Sequence, residues 1–150
     1  MKIKEATEIA KIAELMEVMR DIRKALYLHF SQKVKEYKLD VTMEMLEVLY
    51  VLWNKDNVNQ QEIVDKTNRN KASLTSLIDN LTNRGLVERK PDPTDRRNNL
   101  IVLTEQGRSY QEKLIPILDE VYQSFQVDIS AEEMSNTVDI LNKMRNRIND

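Results

Sequence analysis

The middle of the chain carries three short helical patterns that are followed at once by two short strand patterns. Thr42 and Asn59 precede the first two helical patterns, and Asn70 precedes the third, which extends to about Arg84. Each of these three residues is a favoured N-cap, because its side-chain oxygen can accept a hydrogen bond from a free backbone N–H of the first turn. Gly85 comes next, and glycine tolerates the positive φ that often ends a helix. The third helix is therefore predicted to stop where the first strand begins.

The two strand patterns enclose a polar segment. Residues 86–90 and 100–103 fit short strands, and residues 91–99 between them combine two prolines with polar and charged residues that form turns. This predicts a β-hairpin with a long charged tip. Helices followed directly by such a hairpin make a winged helix-turn-helix, so the fold class is mainly α with a small β-hairpin wing. Two glycines and three prolines in 150 residues agree with a mostly helical chain.

Long amphipathic segments lie on both sides of this region. Apolar residues recur every three or four positions across residues 12–37 and again across residues 110–148. They extend further than one small domain can cover, which favours burial against a second copy of the chain. We expect a single domain over 1–150, with the winged helix-turn-helix at 41–104 and dimerisation helices at 8–38 and 105–148. The last helix is expected to bury a stripe that consists of Met134, Val138, Leu141, Met144 and Ile148.

The charge is unevenly distributed along the chain. The net charge is −2, but residues 66–97 hold eight Lys and Arg against four Asp and Glu, which gives +4 and leaves −6 for the rest. A local excess of positive charge on an acidic protein predicts a surface that binds anions such as DNA phosphates.

The outer face of the third helix carries small polar side chains. With Leu74 directed inward, 100° per residue places Ser76 opposite the core and several other polar residues on the flanks. Hydroxyl and amide groups there can contact base edges and phosphates in a major groove, although the same residues would also suit a merely solvated face. The candidate DNA contacts on and before this helix are Arg69, Lys71, Ser73, Thr75, Ser76 and Asn80.

The hairpin tip adds Asp95, Arg96 and Arg97 to the candidates. An exposed guanidinium group can enter a narrow minor groove, whose negative potential attracts it. Asp95 is expected to hold Arg97 in place across the turn rather than to contact DNA. A pair of arginines in a loop is by itself a weak signal, but the order of helix and hairpin makes the combination specific.

Residues 81–89, 92–97 and 100–107 (LTNRGLVER, DPTDRR and LIVLTEQG) resemble the MarR family of bacterial winged-helix transcription regulators. The resemblance implies that Arg97 enters the minor groove and that Asp95 braces it. It also implies that Ser73, Thr75 and Ser76 touch the major groove while Lys71 and Arg69 contact phosphate. The implied function is that of a sequence-specific regulator of transcription, a ligand-responsive repressor that binds a pseudo-palindromic operator on double-stranded DNA as a homodimer.

The resemblance further implies a small aromatic or phenolic ligand between the winged domain and the dimer helices. The aromatic residues that could line such a site, or simply belong to the core, are Tyr27, His29, Tyr37, Tyr50 and Trp53. The alternative function is a winged-helix adaptor that binds proteins, and the arginine-bearing wing argues against it.

Several function classes find no support in the sequence. Cysteine is absent, which removes thiolate metal sites, cysteine nucleophiles and thiol redox sensing. His29 is the single histidine, without evident partners for a catalytic triad or a zinc site, and no glycine-rich phosphate loop occurs. We therefore expect no enzymatic activity, no metal and no cofactor. No apolar run approaches a membrane span, and the N-terminus lacks a signal peptide, so we expect a cytoplasmic protein with no membrane partner.

Overall fold

The computed structural model describes residues 2–149, and the side chains of residues 6–148. The fold class is confirmed, because a mainly helical chain carries one small antiparallel sheet. In chain order the elements are α1 (Lys2–Glu36), α2 (Met43–Asn54), β1 (Val58–Asn59), α3 (Gln60–Thr67), α4 (Lys71–Asn83), β2 (Val87–Pro91), β3 (Asn99–Leu103), α5 (Glu105–Ser124) and α6 (Ala131–Asn149).

The capping residues found in the sequence begin the helices as predicted. The Thr42 hydroxyl accepts from the backbone N of Met45 at 3.3 Å, and Asn59 Oδ1 accepts from the N of Glu62 at 2.9 Å. Asn70 Oδ1 likewise accepts from Ser73 N at 2.8 Å. Each cap fixes the residue at which its helix starts, and therefore which side chains the first turn presents.

The sheet has three strands where the sequence predicted two. The strand order is β1-β3-β2, and Val58 of β1 lies opposite Ile101 in the central strand. Two residues are too few to form a sequence pattern, and β1 exists only because the fold brings Val58 beside β3. The loop before it is held by Asp56, whose carboxylate accepts from Leu103 N and from Arg108 Nη2, both at 2.9 Å.

The core lies around α2, which is apolar on nearly all sides. Phe30 and Val34 from the end of α1 pack against it, together with inward-facing residues from α3, α4, the sheet and α5. At the start of α5 the backbone approaches very closely, since a Cβ on Gly107 would lie 2.0 Å from the carbonyl oxygen of Leu86. The indole Nε1 of Trp53 donates to the Gly107 carbonyl at 3.0 Å. Glycine is therefore required at this junction between the winged region and α5.

The apolar stripe of the last helix is exposed in the single chain, and its expected burial against a second copy stays a prediction. Met134 and Val138 are half exposed, and Ile148 is 80% exposed. The first half of α1 is similar, since Ile12, Met16, Met19 and Ile22 all face solvent. These two apolar faces lie outside the core of the single chain because neither helix segment packs against it.

The other end of α1 is tied to α5 by a polar cluster. The Tyr37 hydroxyl donates to Glu120 Oε1 at 2.9 Å, and Lys33 Nζ lies 3.4 Å from Glu120 Oε2. The Tyr37 hydroxyl first, and Lys33 second, lower the pKa of the Glu120 carboxyl. None of the helices described here is long and apolar enough to span a lipid bilayer.

Candidate nucleic-acid interface

Helix α4 presents a polar face to solvent, as its sequence predicts. Leu74, Ile78 and Leu81 are fully buried, whereas Ser76 and Asn80 are exposed. The amide Nδ2 of Asn80 donates to the Ser76 carbonyl at 3.0 Å, so these two residues form one patch along the helix.

Thr75 is turned toward α3 rather than fully outward. Its hydroxyl donates to the carbonyl of Lys71 at 2.9 Å and accepts from Gln60 Nε2 at 2.6 Å. Ser73 is half-buried on the opposite flank of the helix, and its backbone N–H is used by the Asn70 cap. Thr75 therefore fixes α4 against α3. Gln60 could not be recognised from the sequence, because a glutamine at the start of a helix carries no pattern of its own.

The wing tip is ordered by two aspartates. Asp95 Oδ1 accepts from the backbone N of Arg97 at 2.9 Å, and Asp95 Oδ2 accepts from Asn98 Nδ2 at 3.1 Å. Asp92 Oδ1 accepts from the hydroxyl and the N of Thr94, at 2.7 and 2.8 Å, and these bonds lower the pKa of the Asp92 carboxyl. The bracing predicted for Asp95 therefore acts on the backbone of Arg97. The side chain of Arg97, like that of Arg96, is exposed.

A polar groove of about 300 Å³ separates the start of α4 from the wing. Lys71 and Arg97 line it with cationic side chains, together with Arg89, whose guanidinium group is paired with an aspartate of α4. Amide side chains such as Gln60 and Asn98 complete its walls. Cations with amide donors beside them suit a sugar-phosphate backbone, which carries one negative charge per nucleotide. Arg89 contributes to the local positive charge of the sequence, but only strand pairing brings it next to α4.

Arg69 does not join this surface. Its guanidinium forms an ion pair with Glu47 of α2, and its side chain is 17% exposed. Glu47 Oε1 also accepts from the hydroxyl of Tyr27 at 3.0 Å. The Nε atom of Arg69 is buried and has no hydrogen-bond partner within the described residues. The turn between α3 and α4 directs this arginine away from the groove and the wing.

Arg69 instead lines a cleft of about 700 Å³ between α1, α2, α5 and the α3–α4 turn. Of the aromatic residues named from the sequence, Tyr27 and Tyr50 line this cleft. His29 lines a separate groove, while Tyr37 and Trp53 bond to Glu120 and Gly107. The cleft gains Tyr122, whose pKa is raised by burial. Among the described side chains, no three His, Cys, Asp or Glu residues are grouped so that they could hold a metal ion.

The chain is similar to known proteins in sequence and in fold. The MarR family profile matches residues 41–98. The transcriptional regulator HosA of Escherichia coli O111:H- is 31% identical over 107 residues, which cover 71% of this chain and 79% of HosA.

Two solved structures show the same fold. Reduced AbfR bound to DNA superposes with a TM-score of 0.79 at 17% identity, over 97% of this chain and 99% of AbfR. BpsR of Bordetella bronchiseptica, whose DNA binding is regulated by 6-hydroxynicotinic acid, has a TM-score of 0.77 at 26% identity, over 86% of this chain and 91% of BpsR. The predicted class of DNA-binding transcriptional regulator is confirmed by these relatives, and the adaptor alternative gains no support from them. By its sequence and by its fold, this chain belongs to the MarR family.

Proposed function

We propose that the chain binds a pseudo-palindromic operator as a homodimer, with one α4 and one wing of each subunit on the DNA. Helix α4 enters the major groove, where Ser73, Ser76 and Asn80 contact base edges or phosphates. The wing places Arg97 in the adjacent minor groove, with Arg96 beside it and Asp95 as its brace. Lys71 contacts the backbone. The observation that carries this proposal is the cationic groove between α4 and the wing, which fits the phosphates between two neighbouring grooves.

Two residues predicted from the sequence take other roles in this proposal. Thr75 supports α4 through its bond to Gln60, and its hydroxyl contacts DNA only if that bond opens. In this proposal Arg69 does not contact phosphate, and its ion pair with Glu47 supports a position on the other side of the turn.

Dimerisation is supported by the apolar faces of α1 and α6. Rows of exposed apolar side chains on a single chain are unfavourable in water, and pairing two identical copies can bury them on both. Two-fold symmetry also places two α4 helices on successive major grooves, about one helical turn of DNA apart. The acidic remainder of each chain then lies away from the phosphates.

The DNA-binding mode is tested with Arg97→Ala on duplexes that the wild type selects from a random pool. We expect binding to weaken about tenfold, the order of effect for loss of one groove-directed arginine. Arg20→Ala is the matched control, since Arg20 is an exposed arginine on α1, away from the wing. Equal affinities of both variants and the wild type would contradict the wing assignment, and a consensus without two-fold symmetry would contradict the dimer.

We also propose that the cleft beside Arg69 binds a small aromatic or phenolic acid that alters DNA binding. An anionic ligand would find Arg23, Lys66 and Arg69 around an apolar floor. The buried Nε of Arg69 would gain an acceptor. Arg69 directly precedes Asn70, the N-cap of α4, so a ligand that draws Arg69 from Glu47 also acts on the start of that helix.

A set of aromatic hydroxy acids that includes 6-hydroxynicotinic acid tests this cleft by thermal shift and by release of bound duplex. We expect a ligand that raises the melting temperature of the wild type to have little effect on Arg69→Gln. An equal shift in both proteins would place the ligand elsewhere. Since the relatives are regulators, we propose that the chain acts by binding alone, without a catalytic step, and in the cytoplasm where the DNA is.

A further inference from the structure

An acidic residue lies on the face of α4 that is directed to DNA. Asp79 is one turn beyond Ser76 and is exposed. A carboxylate at this position is unfavourable for DNA binding by itself, because it repels phosphates. In the structure its Oδ1 accepts from Arg89 Nη2 of strand β2 at 2.7 Å, so its partner is a residue of the wing.

The strand geometry explains why Arg89 reaches α4. Arg89 lies directly opposite Ile101 in the β2–β3 ladder, and residues opposite each other share one face of a sheet. Ile101 is fully buried, so Arg89 is on the helix side of the wing. Its neighbours Glu88 and Lys90 are on the other side, where they form an ion pair with each other at 2.9 Å.

The Asp79–Arg89 contact is placed so that a small rotation of the hairpin about it displaces the wing tip. The ladder extends two residues beyond Arg89, to the Pro91–Asn99 pair, and Arg97 lies in the turn that follows, so it is between about 7 and 13 Å beyond Arg89 at about 3.3 Å per residue. A tilt of roughly 10° of the hairpin about Arg89 would move the tip by about 1–2 Å, which is enough to lengthen a hydrogen bond beyond its normal range. No other ion pair between α4 and the wing occurs among the residues described in the structure.

We propose that the Asp79–Arg89 ion pair is a strap that fixes the wing relative to α4, so that Arg97 and the outer face of α4 engage neighbouring grooves together. Both are positioning residues, which act through Arg97 and α4. The inference rests on the proposed DNA-binding mode. Partly exposed ion pairs contribute little to the stability of a free protein, and docking on DNA removes water from this one and strengthens it.

The strap predicts a change in DNA affinity opposite to the one expected from charge alone. Removal of a negative charge from a DNA-binding surface ordinarily tightens binding. Loss of the strap loosens the wing, and D79N should therefore bind DNA more weakly although it is less negative.

The experiment measures duplex affinity and its salt dependence for D79N, D79E, R89Q and the double variant D79N/R89Q. We expect roughly threefold to tenfold weaker binding for D79N and for R89Q, with D79E within about twofold of the wild type. The double variant should bind DNA at most about twofold more weakly than either single variant, because both substitutions remove the same contact. The salt slope should not change, because no phosphate contact is lost.

E88Q is the matched control, because it breaks an ion pair of the same wing on the other face, and it should bind like the wild type. The melting temperature of each variant should equal that of the wild type, which shows that weaker DNA binding is not caused by loss of folding. If D79N bound DNA as tightly as the wild type or more tightly, the strap would be overturned. It would also be overturned if the dependence of log affinity on log salt concentration were shallower by about one for R89Q, because that change indicates a direct phosphate contact. A wild type that selects no duplex would instead contradict the proposed function.

Discussion

Gly107→Ala should destabilise the protein strongly, because the added methyl group has no room. Its carbon would lie 2.0 Å from the Leu86 carbonyl oxygen, and real side-chain carbons do not approach closer than 3.0 Å. The start of α5 must therefore move by about 1 Å, which stretches the 3.0 Å bond from Trp53 Nε1 to the Gly107 carbonyl beyond hydrogen-bond distance.

The expected magnitude follows from these two effects. Overpacking of a rigid site costs about 1–3 kcal/mol, and a half-buried donor left without a partner costs about 1–3 kcal/mol. The sum is about 4 kcal/mol, a large part of the usual 5–15 kcal/mol of a folded domain. For a chain of this length it lowers the melting temperature by roughly 8–16 °C.

Gly85→Ala is the control, since the chain has two glycines. Its methyl group would meet Gln106 Oε1 at an ordinary 3.5 Å, but the φ of +69° is unfavourable for alanine and costs about 1–2 kcal/mol. Thermal unfolding followed by circular dichroism ranks the variants, and fluorescence of the single tryptophan reports on the broken bond. A Gly107→Ala protein that melts within 1 °C of the wild type, or above Gly85→Ala, would refute the argument.

Three further outcomes are expected. Lys71→Ala should weaken binding to all duplexes about equally and make the salt slope shallower by about one; an unchanged slope would remove Lys71 from the phosphate contacts. Val138→Asp places a charge on the exposed stripe of α6 and should yield a monomer by light scattering, so an unchanged mass would exclude this face from the dimer. The depressed pKa of Glu120 stabilises the fold above its unfolded value of about 4.5 and ceases to do so as the pH falls through the folded pKa. In Tyr37→Phe the free energy of unfolding should therefore fall less steeply between pH 6 and pH 3 than in the wild type. Parallel plots of unfolding free energy against pH for the two proteins would contradict this.

Local signals predicted much of the fold. Thr42, Asn59 and Asn70 cap the helices that they were expected to cap, because a cap depends on its own turn. The turn at Gly85 adopts the positive φ expected of it. Strand β1 was missed because its two residues pair with β3 only through the tertiary fold.

The site was less predictable for the same reason. Asp95 was found because its partner Arg97 is two residues away. The surroundings of Arg69 and Arg89 could not be predicted, because their partners in the structure, Glu47 and Asp79, are 22 and 10 residues away. The sequence shows that an arginine is present, but not which of two surfaces its guanidinium group will face.

The exposed apolar faces of α1 and α6 have a consequence for how this regulator responds to its own abundance. If these faces are covered only by a second copy, folding of the two helices is coupled to pairing of the subunits. The midpoint of unfolding then depends on protein concentration. Occupancy of an operator that requires both subunits would then rise with the square of monomer concentration at low expression. A cell could silence the regulator by dilution alone, without any ligand.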